Sequence, residues 1–325
     1  MQFDQLKALT ADKPIVDAPC PSCGPECRSE ANSRRKVLRI WDDGDFISFK
    51  CARCDASGWA KDGAARHIAR ERPKIEEPRQ DKAATARFLW ARSLPLPGSA
   101  AEAYLRSRGC FSPSPNLRFL PARDRHPPAM IARFGDEDVV TGVHITRLRE
   151  DGSGKAGTDA DKLIIGPSIG KPIIIRDNPD REELIIAEGI EDALSFAVVT
   201  GWSTWAAGTA NRIPRVLAAA KGFPKVYCAV DLDFGKKMRA GPRAFDQARA
   251  VRSDLIPLRI EKVLGLREKL DANKALIRFG HVPLLAAIEW CEIQELYARG
   301  EIGLHAMQAE MAGVNRIFQG LTGLD

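Results

Sequence analysis

The sequence has few tyrosines, no long apolar run and no nucleotide-binding P-loop. Only three of its 325 residues are tyrosine, and no stretch approaches the roughly 20 apolar residues that a membrane-spanning helix needs. The first residues, MQFDQLKALTADKP, lack the basic and then apolar order of a secretory signal peptide. GSGKAG has neither the first glycine of a G-x4-G-K-[ST] loop nor a hydroxyl residue after Lys155. We therefore expect a cytoplasmic protein without a membrane segment and without a helicase motor.

The composition is that of a folded, mildly basic protein. Hydrophobic residues make up 44% of the chain, which is ordinary for a globular protein, and 325 residues exceed the needs of one small core. The formal net charge is +6, and between Cys20 and Lys74 twelve basic residues stand against eight acidic ones. This balance permits a polyanionic partner without requiring one.

Five of the eight cysteines lie before position 55. Without a signal peptide, closely spaced cysteine pairs favour a metal site over disulfides. Cys20 and Cys23 form one C-x2-C pair and Cys51 and Cys54 another, the spacing with which two thiolates reach one zinc ion from a single turn. These four residues are the predicted ligands of a structural zinc, because so small a module has little apolar core. Cys27 could replace Cys23, an alternative that remains open.

The segment between the two pairs predicts a β-hairpin with basic and aromatic residues. VLRIW and FISFK have strand-like composition and flank Asp43-Gly44, a hairpin-turn signal. Cations beside aromatic rings are typical of surfaces that bind single-stranded nucleic acid. The alternative is that the rings fill the small core and the charges are only solvated. The candidate nucleic-acid-binding residues of this segment are Arg34, Arg35, Lys36, Arg39, Trp41, Lys50 and Arg53.

The middle of the chain predicts two helices followed by a small β-rich module. KAATARFLWARS and AAEAYLRSRG have helical patterns and lie between proline- and glycine-bearing ends. The strand candidates DVVTGVHITRLR, KLIIG and KPIIIR lie around and after the glycine-rich turn EDGSGKAG. Arg147, Lys155 and Lys162 are candidates for contact with a nucleotide or a nucleic-acid strand, although solvated surface charge explains each residue taken alone.

From Glu183 onward, short apolar strands alternate with helices. ELIIAE, WSTWAA, KVYCAVDLD and PLRIEKV are predicted strands, and their alternation with helices predicts a parallel sheet that is covered on both faces. In such sheets, ligands bind beyond the carboxyl ends of the strands. Glu188 ends the first strand, and Asp231 and Asp233 end the third and share a face. If the two strands are neighbours, the three carboxylates converge, and a hard cation such as Mg2+ offsets their repulsion.

The residues after Glu188 have separate predicted tasks. Gly189 is expected to let the chain turn sharply without a Cβ near the metal. Glu191 and Asp192 lie in the first turn of the next helix, where negative charge favours the helix dipole. This role is expected to account for Glu191 completely. Asp192 points back toward Glu188, which leaves a metal role open.

These motifs resemble those of the Toprim domain of bacterial-type primases, type IA and II topoisomerases and related nucleases. Glu188, Gly189 and Asp192 match its E-G-x-x-D pattern, and Asp231 and Asp233 match its D-x-D pattern about 40 residues later. The order of a four-cysteine zinc ribbon, a linker bearing AYLRSRG, the GSGKA turn and a Toprim domain is similar to that of phage and plasmid primases. The resemblance covers roughly residues 15–280.

The sequence departs from this family at two places. Such primases often continue with D-x-N-D-x-L, whereas this chain has DANKAL from Asp271 to Leu276, with Lys274 in place of the second acid. This puts the third acidic site in doubt and leaves Asp271 as its remainder. The basic GKKMRAGPR after Asp233 is longer than the family's usual connection and could touch phosphates.

The resemblance implies a DNA primase, which makes short RNA primers from NTPs on single-stranded DNA by Mg2+- or Mn2+-dependent nucleotidyl transfer. It implies Glu188, Asp231 and Asp233 as catalytic metal ligands, with Asp192 and Asp271 as further candidates. A Toprim-type nuclease and a non-catalytic DNA-binding replication adaptor are the alternatives. Three tyrosines, with no room for strand-gate domains, disfavour a topoisomerase. A replicative helicase, if one takes part, is expected to be a separate chain.

The predicted fold class is therefore α/β, with four segments. The C-terminal segment has apolar stripes between Leu284 and Tyr297, which either dock on a helicase or pack onto the Toprim domain. The predicted boundaries are 1–72 for the zinc ribbon, 73–120 for a linker with helices, 121–280 for a primase core with its Toprim domain at about 181–280, and 281–325 for the helical segment.

Overall fold

The structure, a computed structural model, describes residues 1–24, 33–54, 56–63, 81–124, 126–158, 160–229, 240–264 and 270–319. These residues form two compact units, one on each side of the boundary after Arg79. Within the described part of the chain, no helix is both long and apolar enough to cross a membrane.

The N-terminal unit is an antiparallel sheet of four strands in the order β1-β2-β3-β4, preceded by one helix. The predicted hairpin is confirmed, because β2 and β3 pair from Leu38 with Cys51 to Asp42 with Ile47. The carboxylate of Asp42 accepts hydrogen bonds from Thr10 (2.6 Å) and Lys7 (3.0 Å), which fixes the helix against the sheet. The elements are α1 (Phe3–Thr10), β1 (Ile15–Pro19), β2 (Lys36–Asp42), β3 (Phe46–Cys51) and β4 (Ser57–Lys61).

The C-terminal unit begins with two helices and an antiparallel sheet in the order β5-β6-β7-β8. This sheet is the β-rich module that the sequence predicts. One of its faces packs against the first of the two helices through Ala86, Ile131 and Ile145. The elements are α2 (Lys82–Ala91), α3 (Ala100–Ser107), β5 (Leu117–Leu120), β6 (Ala129–Arg133), β7 (Val143–Arg147) and β8 (Lys162–Ile165).

A second sheet of five strands follows, in the order β13-β12-β10-β11-β9. Its strands β10 to β13 are parallel, as predicted, and β9 pairs antiparallel with β11 at one edge. The elements are β9 (Ile173–Arg176), β10 (Glu183–Ala187), α4 (Ile190–Thr200), β11 (Ser203–Ala206), a 3-10 turn (Ala210–Arg212), α5 (Ile213–Leu217), β12 (Lys225–Ala229), α6 (Ala240–Val251), β13 (Ile256–Leu258) and α7 (Ile260–Val263).

Two of the strand predictions need correction. The segment KPIIIR, assigned to the β-rich module, forms β9 and belongs to the five-stranded sheet. PLRIEKV is not one strand, because β13 ends at Leu258 and the short helix α7 starts at Ile260. Over so few residues, a buried strand and a buried helical turn have the same apolar pattern. The pattern therefore does not distinguish between them.

The C-terminal helices are α8 (Ala272–Phe279), α9 (His281–Ala298) and α10 (Leu304–Gln319). Leu284 and Ile288 of α9 are fully buried in the same core cluster as Ile185 of β10. Glu292 of α9 accepts hydrogen bonds from Lys225 (2.6 Å) and Tyr227 (2.7 Å) of β12. Packing onto the parallel sheet is therefore the role of α9 in the described structure.

Gly166, at the end of β8, provides a test of how tightly the module packs on α2. Its φ is +88°, and a Cβ there would overlap the Thr141 carbonyl oxygen and lie 3.0 Å from that of Lys82. Gly157 has a similar φ of +79° but open space around it. We expect Gly157→Ala to cost about 1 kcal/mol through φ alone, and Gly166→Ala to cost about 1–3 kcal/mol more through overpacking. Equal shifts of the urea midpoint in the two variants would contradict this packing.

Candidate functional site

The four predicted zinc ligands lie together and are buried. The Sγ atoms of Cys20 and Cys54 are 3.9 Å apart, those of Cys23 and Cys51 are 3.8 Å apart, and all four lie within 4.8 Å of one another. Sulfur atoms bound tetrahedrally at the usual zinc–sulfur distance lie about 3.8 Å apart. The cluster therefore fits a structural zinc, and these distances exclude disulfides. Cys27 lies outside the described residues.

The outer face of the N-terminal sheet carries both rings and cations. Alternation along the strands puts Arg39 and Trp41 of β2 on the same face as Lys50 of β3, opposite the buried Leu38 and Ile40. On that outer face Trp59, which is 63% exposed, stacks on Phe46 with a centroid distance of 5.7 Å. Phe49 is therefore a core ring, whereas Trp59 and Phe46 lie on the outer face.

The cations of this unit differ in their surroundings. Arg39 makes two hydrogen bonds to the carboxylate of Asp17, at 2.7 and 2.6 Å. The guanidinium of Arg53 lies 4.0 Å from the Sγ of Cys23, beside the cysteine cluster. The exposed candidates at the start of β2 and just before it are Arg34, Arg35 and Lys36.

The carboxyl ends of two neighbouring strands meet beside Glu188. Strand β10 pairs with β12 from Glu183 with Lys225 to Ile186 with Cys228, which confirms that the two strands are neighbours. Glu188 follows the last residue of β10, and its carbonyl oxygen accepts a hydrogen bond from Gly208 N–H at 2.9 Å. The other two predicted catalytic acids, Asp231 and Asp233, lie outside the described residues.

At this edge of the sheet, four acidic residues line one small cavity. The cavity has a volume of about 10 Å3, and its acidic lining residues are Glu188, Asp192, Asp271 and Glu261. Glu261 is only 2% exposed and was missed by the sequence analysis, which placed it in a strand. Glu261 becomes recognisable as a buried acid only once the start of helix α7 is known.

Asp192 and Asp271 both hold the start of α8. Asp271 is the N-cap residue and accepts a hydrogen bond from Lys274 N–H at 2.9 Å, while Asp192 accepts one from Asn273 N–H at 3.1 Å. The fully buried Asn273 side chain donates to Arg108 O and Ser195 Oγ, both at 2.9 Å. The DANK segment therefore ties α8 to α3 and α4, and brings Asp271 to the acid cavity.

The structure corrects the reason given for Gly189. Its φ of −98° and ψ of 157° are extended values that any residue adopts, so the turn itself does not require glycine. A Cβ at this position would, however, lie 3.0 Å from Oδ2 of Asp192. Glycine is therefore favoured here because the Asp192 carboxylate approaches the backbone closely.

The helix-dipole role expected for Glu191 does not account for this residue completely. Its side chain is only 6% exposed and makes ion pairs with Lys155 at 3.0 Å and Lys162 at 3.4 Å. The hydroxyl of Tyr104 donates a hydrogen bond to its Oε1 at 2.9 Å. One carboxylate of the five-stranded domain therefore binds α3, the glycine-rich turn and β8 of the preceding module.

The electrostatics of this cluster favour its charged form. Burial alone would raise the pKa of Glu191, but the ammonium groups of Lys162 and Lys155 outweigh it and hold that pKa well below its usual value. Burial lowers the pKa of Lys162, whereas Glu191 first, and then Asp192, raise it to a net value above the usual one. Lys162, one of the three predicted cations, is thus within electrostatic range of Asp192 and Glu188 of the acid cavity.

The acid cavity offers ligands of the type that Mg2+ takes, namely carboxylate oxygens. Among the described residues, only the cysteine cluster brings three or more potential metal ligands within 4.8 Å of one another. The acids of this cavity therefore do not by themselves form a group of that kind among the described residues.

Two family models match the C-terminal unit. Residues 80–175, which contain the antiparallel sheet, match a domain of unknown function, DUF7146. Residues 183–281, which contain the parallel sheet and α8, match the Toprim domain. The resemblance to the Toprim domain is thus confirmed. No curated protein sequence matches the chain.

Solved structures of primases are similar to the chain at low identity. The zinc-binding and RNA polymerase domains of Aquifex aeolicus primase match with 14% identity and a TM-score of 0.44, over 97% of this chain and 92% of that chain. The primase fragment of the bacteriophage T7 primase-helicase matches with 13% identity and a TM-score of 0.37, over 83% and 97%. A DNA primase domain from Pseudomonas aeruginosa matches with 13% identity and a TM-score of 0.37, over 66% and 75%.

The cysteine cluster predicts one tightly bound zinc ion per chain. We expect Cys23→Ser to release the zinc and to destabilise the N-terminal unit, because a hydroxyl is a poor substitute for a thiolate ligand. Cys27→Ser is the matched control and should retain one zinc, as measured by elemental analysis of the purified protein. Zinc that is lost from Cys27→Ser but retained by Cys23→Ser would assign the fourth ligand to Cys27.

Removing the charge of Glu191 should lower the free energy of unfolding by an amount that does not depend on pH near neutrality. We expect Glu191→Gln to cost about 1–3 kcal/mol, because it leaves two lysines beside a buried neutral side chain. The lowered pKa means that the carboxylate stabilises the fold above its ordinary pKa and loses this effect only as the pH falls through the lower, folded value.

The difference in unfolding free energy between wild type and Glu191→Gln should therefore stay constant from about pH 8 to about pH 5.5. Chemical denaturation at several pH values measures it, with the exposed Glu182→Gln as the control. A difference that disappears within this interval would show that the Glu191 carboxyl titrates there and is not held by the lysines.

Proposed function

We propose that the protein is a DNA primase, which makes short RNA primers on single-stranded DNA. The observation that carries this proposal is the acid cavity at the carboxyl end of β10, the neighbour of β12, within a Toprim domain. Glu188 follows β10, and Asp231 and Asp233 follow β12 in sequence. Ligands of parallel α/β sheets bind at this edge.

In this proposal, Glu188, Asp231 and Asp233 hold divalent cations. Asp192 of α4 and Asp271, the N-cap residue of α8, support them. When bound, Mg2+ or Mn2+ lowers the charge on the incoming triphosphate and on the departing pyrophosphate. The Glu188 carboxylate is placed by its position directly after β10 and by the hydrogen bond of its carbonyl group to Gly208. The backbone on which Glu188 lies is thus fixed before any substrate arrives.

Lys162 and Lys155 are proposed to bind the triphosphate. Both ammonium groups are held by Glu191, and that of Lys162 also interacts with the charges of Asp192 and Glu188. The fields of Asp192 and Glu188 also help to keep the pKa of Lys162 above its usual value, so the residue carries its full charge. A positive charge at this position attracts phosphates and reduces the repulsion between them and the acids.

The outer face of the N-terminal sheet is proposed to hold the template strand. Its rings, Trp41 and the stacked pair of Trp59 and Phe46, offer flat surfaces to bases. Arg39 and Lys50 pair with each other in the row beside Trp41 and Trp59, and are proposed to meet phosphates. The same contacts are proposed for the nearby cations Arg34, Arg35, Lys36 and Arg53.

Primer synthesis tests the proposal directly. Purified protein is incubated with single-stranded DNA, NTPs and Mn2+, and the RNA products are separated on a denaturing gel. We expect Glu188→Gln, Asp231→Asn and Asp233→Asn each to lower the rate at least about 100-fold, the scale of losing one group that stabilises developing charge. Zinc content and the unfolding midpoint should remain those of the wild type.

Glu182→Gln is the matched control, because Glu182 is an exposed acid at the opposite end of β10. Its rate should equal that of the wild type. Degradation of labelled DNA without NTPs would identify a nuclease instead. DNA binding with no metal-dependent product would identify a non-catalytic adaptor, and either result would overturn the proposal.

A further inference from the structure

The antiparallel sheet of the C-terminal unit has two chemically different faces. Side chains alternate along β7 and β8, so that Thr146 pairs with Lys162 and Ile145 pairs with Leu163. Lys162 extends from one face to the Glu191 carboxylate. Arg147 lies on the other face with Ile145. The three cations that the sequence grouped together therefore serve two different sides of the sheet.

A second, larger cavity lies on the face of Arg147. Its volume is about 530 Å3, and it lies between the C-terminal end of α2, the end of β5 and strands β7 and β8. Small-molecule sites usually have volumes of about 300–1,000 Å3. Apolar side chains form most of its wall, among them Leu89, Ile145 and Leu163. The cavity is therefore large enough, and apolar enough, to enclose an aromatic ring system.

Cations occupy the rim of this cavity. Arg92, Arg123 and Arg147 line it, together with a single acid, Asp124, which lies 3.5 Å from Arg123. The guanidinium of Arg92 stacks 5.3 Å from the ring centre of Phe88, which is itself 54% exposed. Among the described residues, Arg147 has no side-chain hydrogen bond or ion pair. The rim thus has an excess of positive charge that faces an apolar interior.

The apolar wall and the cationic rim together indicate which class of ligand fits the cavity. A neutral apolar molecule would leave the arginines without a partner, and inorganic phosphate alone would leave the apolar wall in contact with water. A nucleotide satisfies both parts, because its base fits an apolar wall and its phosphates accept paired hydrogen bonds from guanidinium groups. Because the arginines supply the positive charge, such binding needs no divalent cation.

We infer that the cavity between α2 and the antiparallel sheet is a nucleotide-binding site separate from the acid cavity. The base contacts Leu89, Ile145 and Leu163, and the phosphates contact Arg147 and Arg92. The site lies on the face of the sheet that is turned away from Glu191, so it can be filled while the acid cavity is free. The inference does not depend on primer synthesis by the parallel-sheet domain.

Photolabelling locates the site. The full-length protein is irradiated with 8-azidoadenosine 5′-diphosphate in buffer without added Mg2+ or Mn2+, and the modified peptides are identified by mass spectrometry. We expect the label in peptides that contain residues 82–92 or 120–147, with ADP as an effective competitor. Adenosine and inorganic phosphate should compete only weakly, because each of them fills half of the site.

Variants test the role of the rim. Arg147→Gln should weaken binding of the probe about tenfold or more, the effect of losing one charge-assisted contact. Arg149→Gln is the matched control, since Arg149 is an exposed arginine two residues further on that does not line the cavity. The unfolding midpoint of each variant shows whether the fold is retained. Glu188→Gln should leave labelling unchanged.

Three results would overturn the inference. Label confined to peptides from residues 183–281 would place the nucleotide in the parallel-sheet domain. Equal affinities for Arg147→Gln and Arg149→Gln, with both variants folded, would show that the rim does not hold phosphate. Binding of an acidic apolar peptide in the cavity, with no competition by ADP, would identify a protein partner as the occupant instead.

Discussion

The buried carboxylate of Glu191 is the contact on which the arrangement of the C-terminal unit depends. It binds Tyr104 of α3, Lys155 of the glycine-rich turn and Lys162 of β8, three segments that precede the parallel sheet in the chain. Burying a carboxylate is unfavourable unless its partners compensate for the lost hydration. The two domains that match separate family models share one core cluster, and this buried charge joins them in addition.

This contact also determines the surroundings of the acid cavity. Glu191 and Asp192 are adjacent on α4. By binding the lysines, Glu191 therefore fixes the helical turn that carries Asp192. Asp192 in turn accepts a hydrogen bond from the start of α8, where Asp271 caps the helix. The two lysines, the Glu191 carboxylate and the acids of the cavity thus lie in one charged region of the C-terminal unit. Such an arrangement favours the charged forms of Glu191 and Lys162.

The parts that could be predicted from the sequence are those whose signal is local. The cysteine spacing, the Asp43-Gly44 hairpin and the strand before Glu188 are each contained in a few residues, and the structure has all three. Glu191 was misassigned because its partners lie at least 29 residues away, and no pattern within its own helix indicates burial. Glu261 was missed because PLRIEKV has the same apolar pattern as a strand, whereas the chain turns into a helix after Leu258.

The alternation of side chains across a sheet explains why three cations close in sequence have different tasks. Thr146 and Arg147 are neighbours in the chain, yet β7 directs them to opposite faces, and the partner of Thr146 in β8 is Lys162. Composition alone therefore groups residues that the sheet separates. The four-stranded sheet has an acid-paired lysine on one face and arginines around an apolar cavity on the other. Glu191 balances the charge on the first face, whereas on the second the proposed ligand would do so.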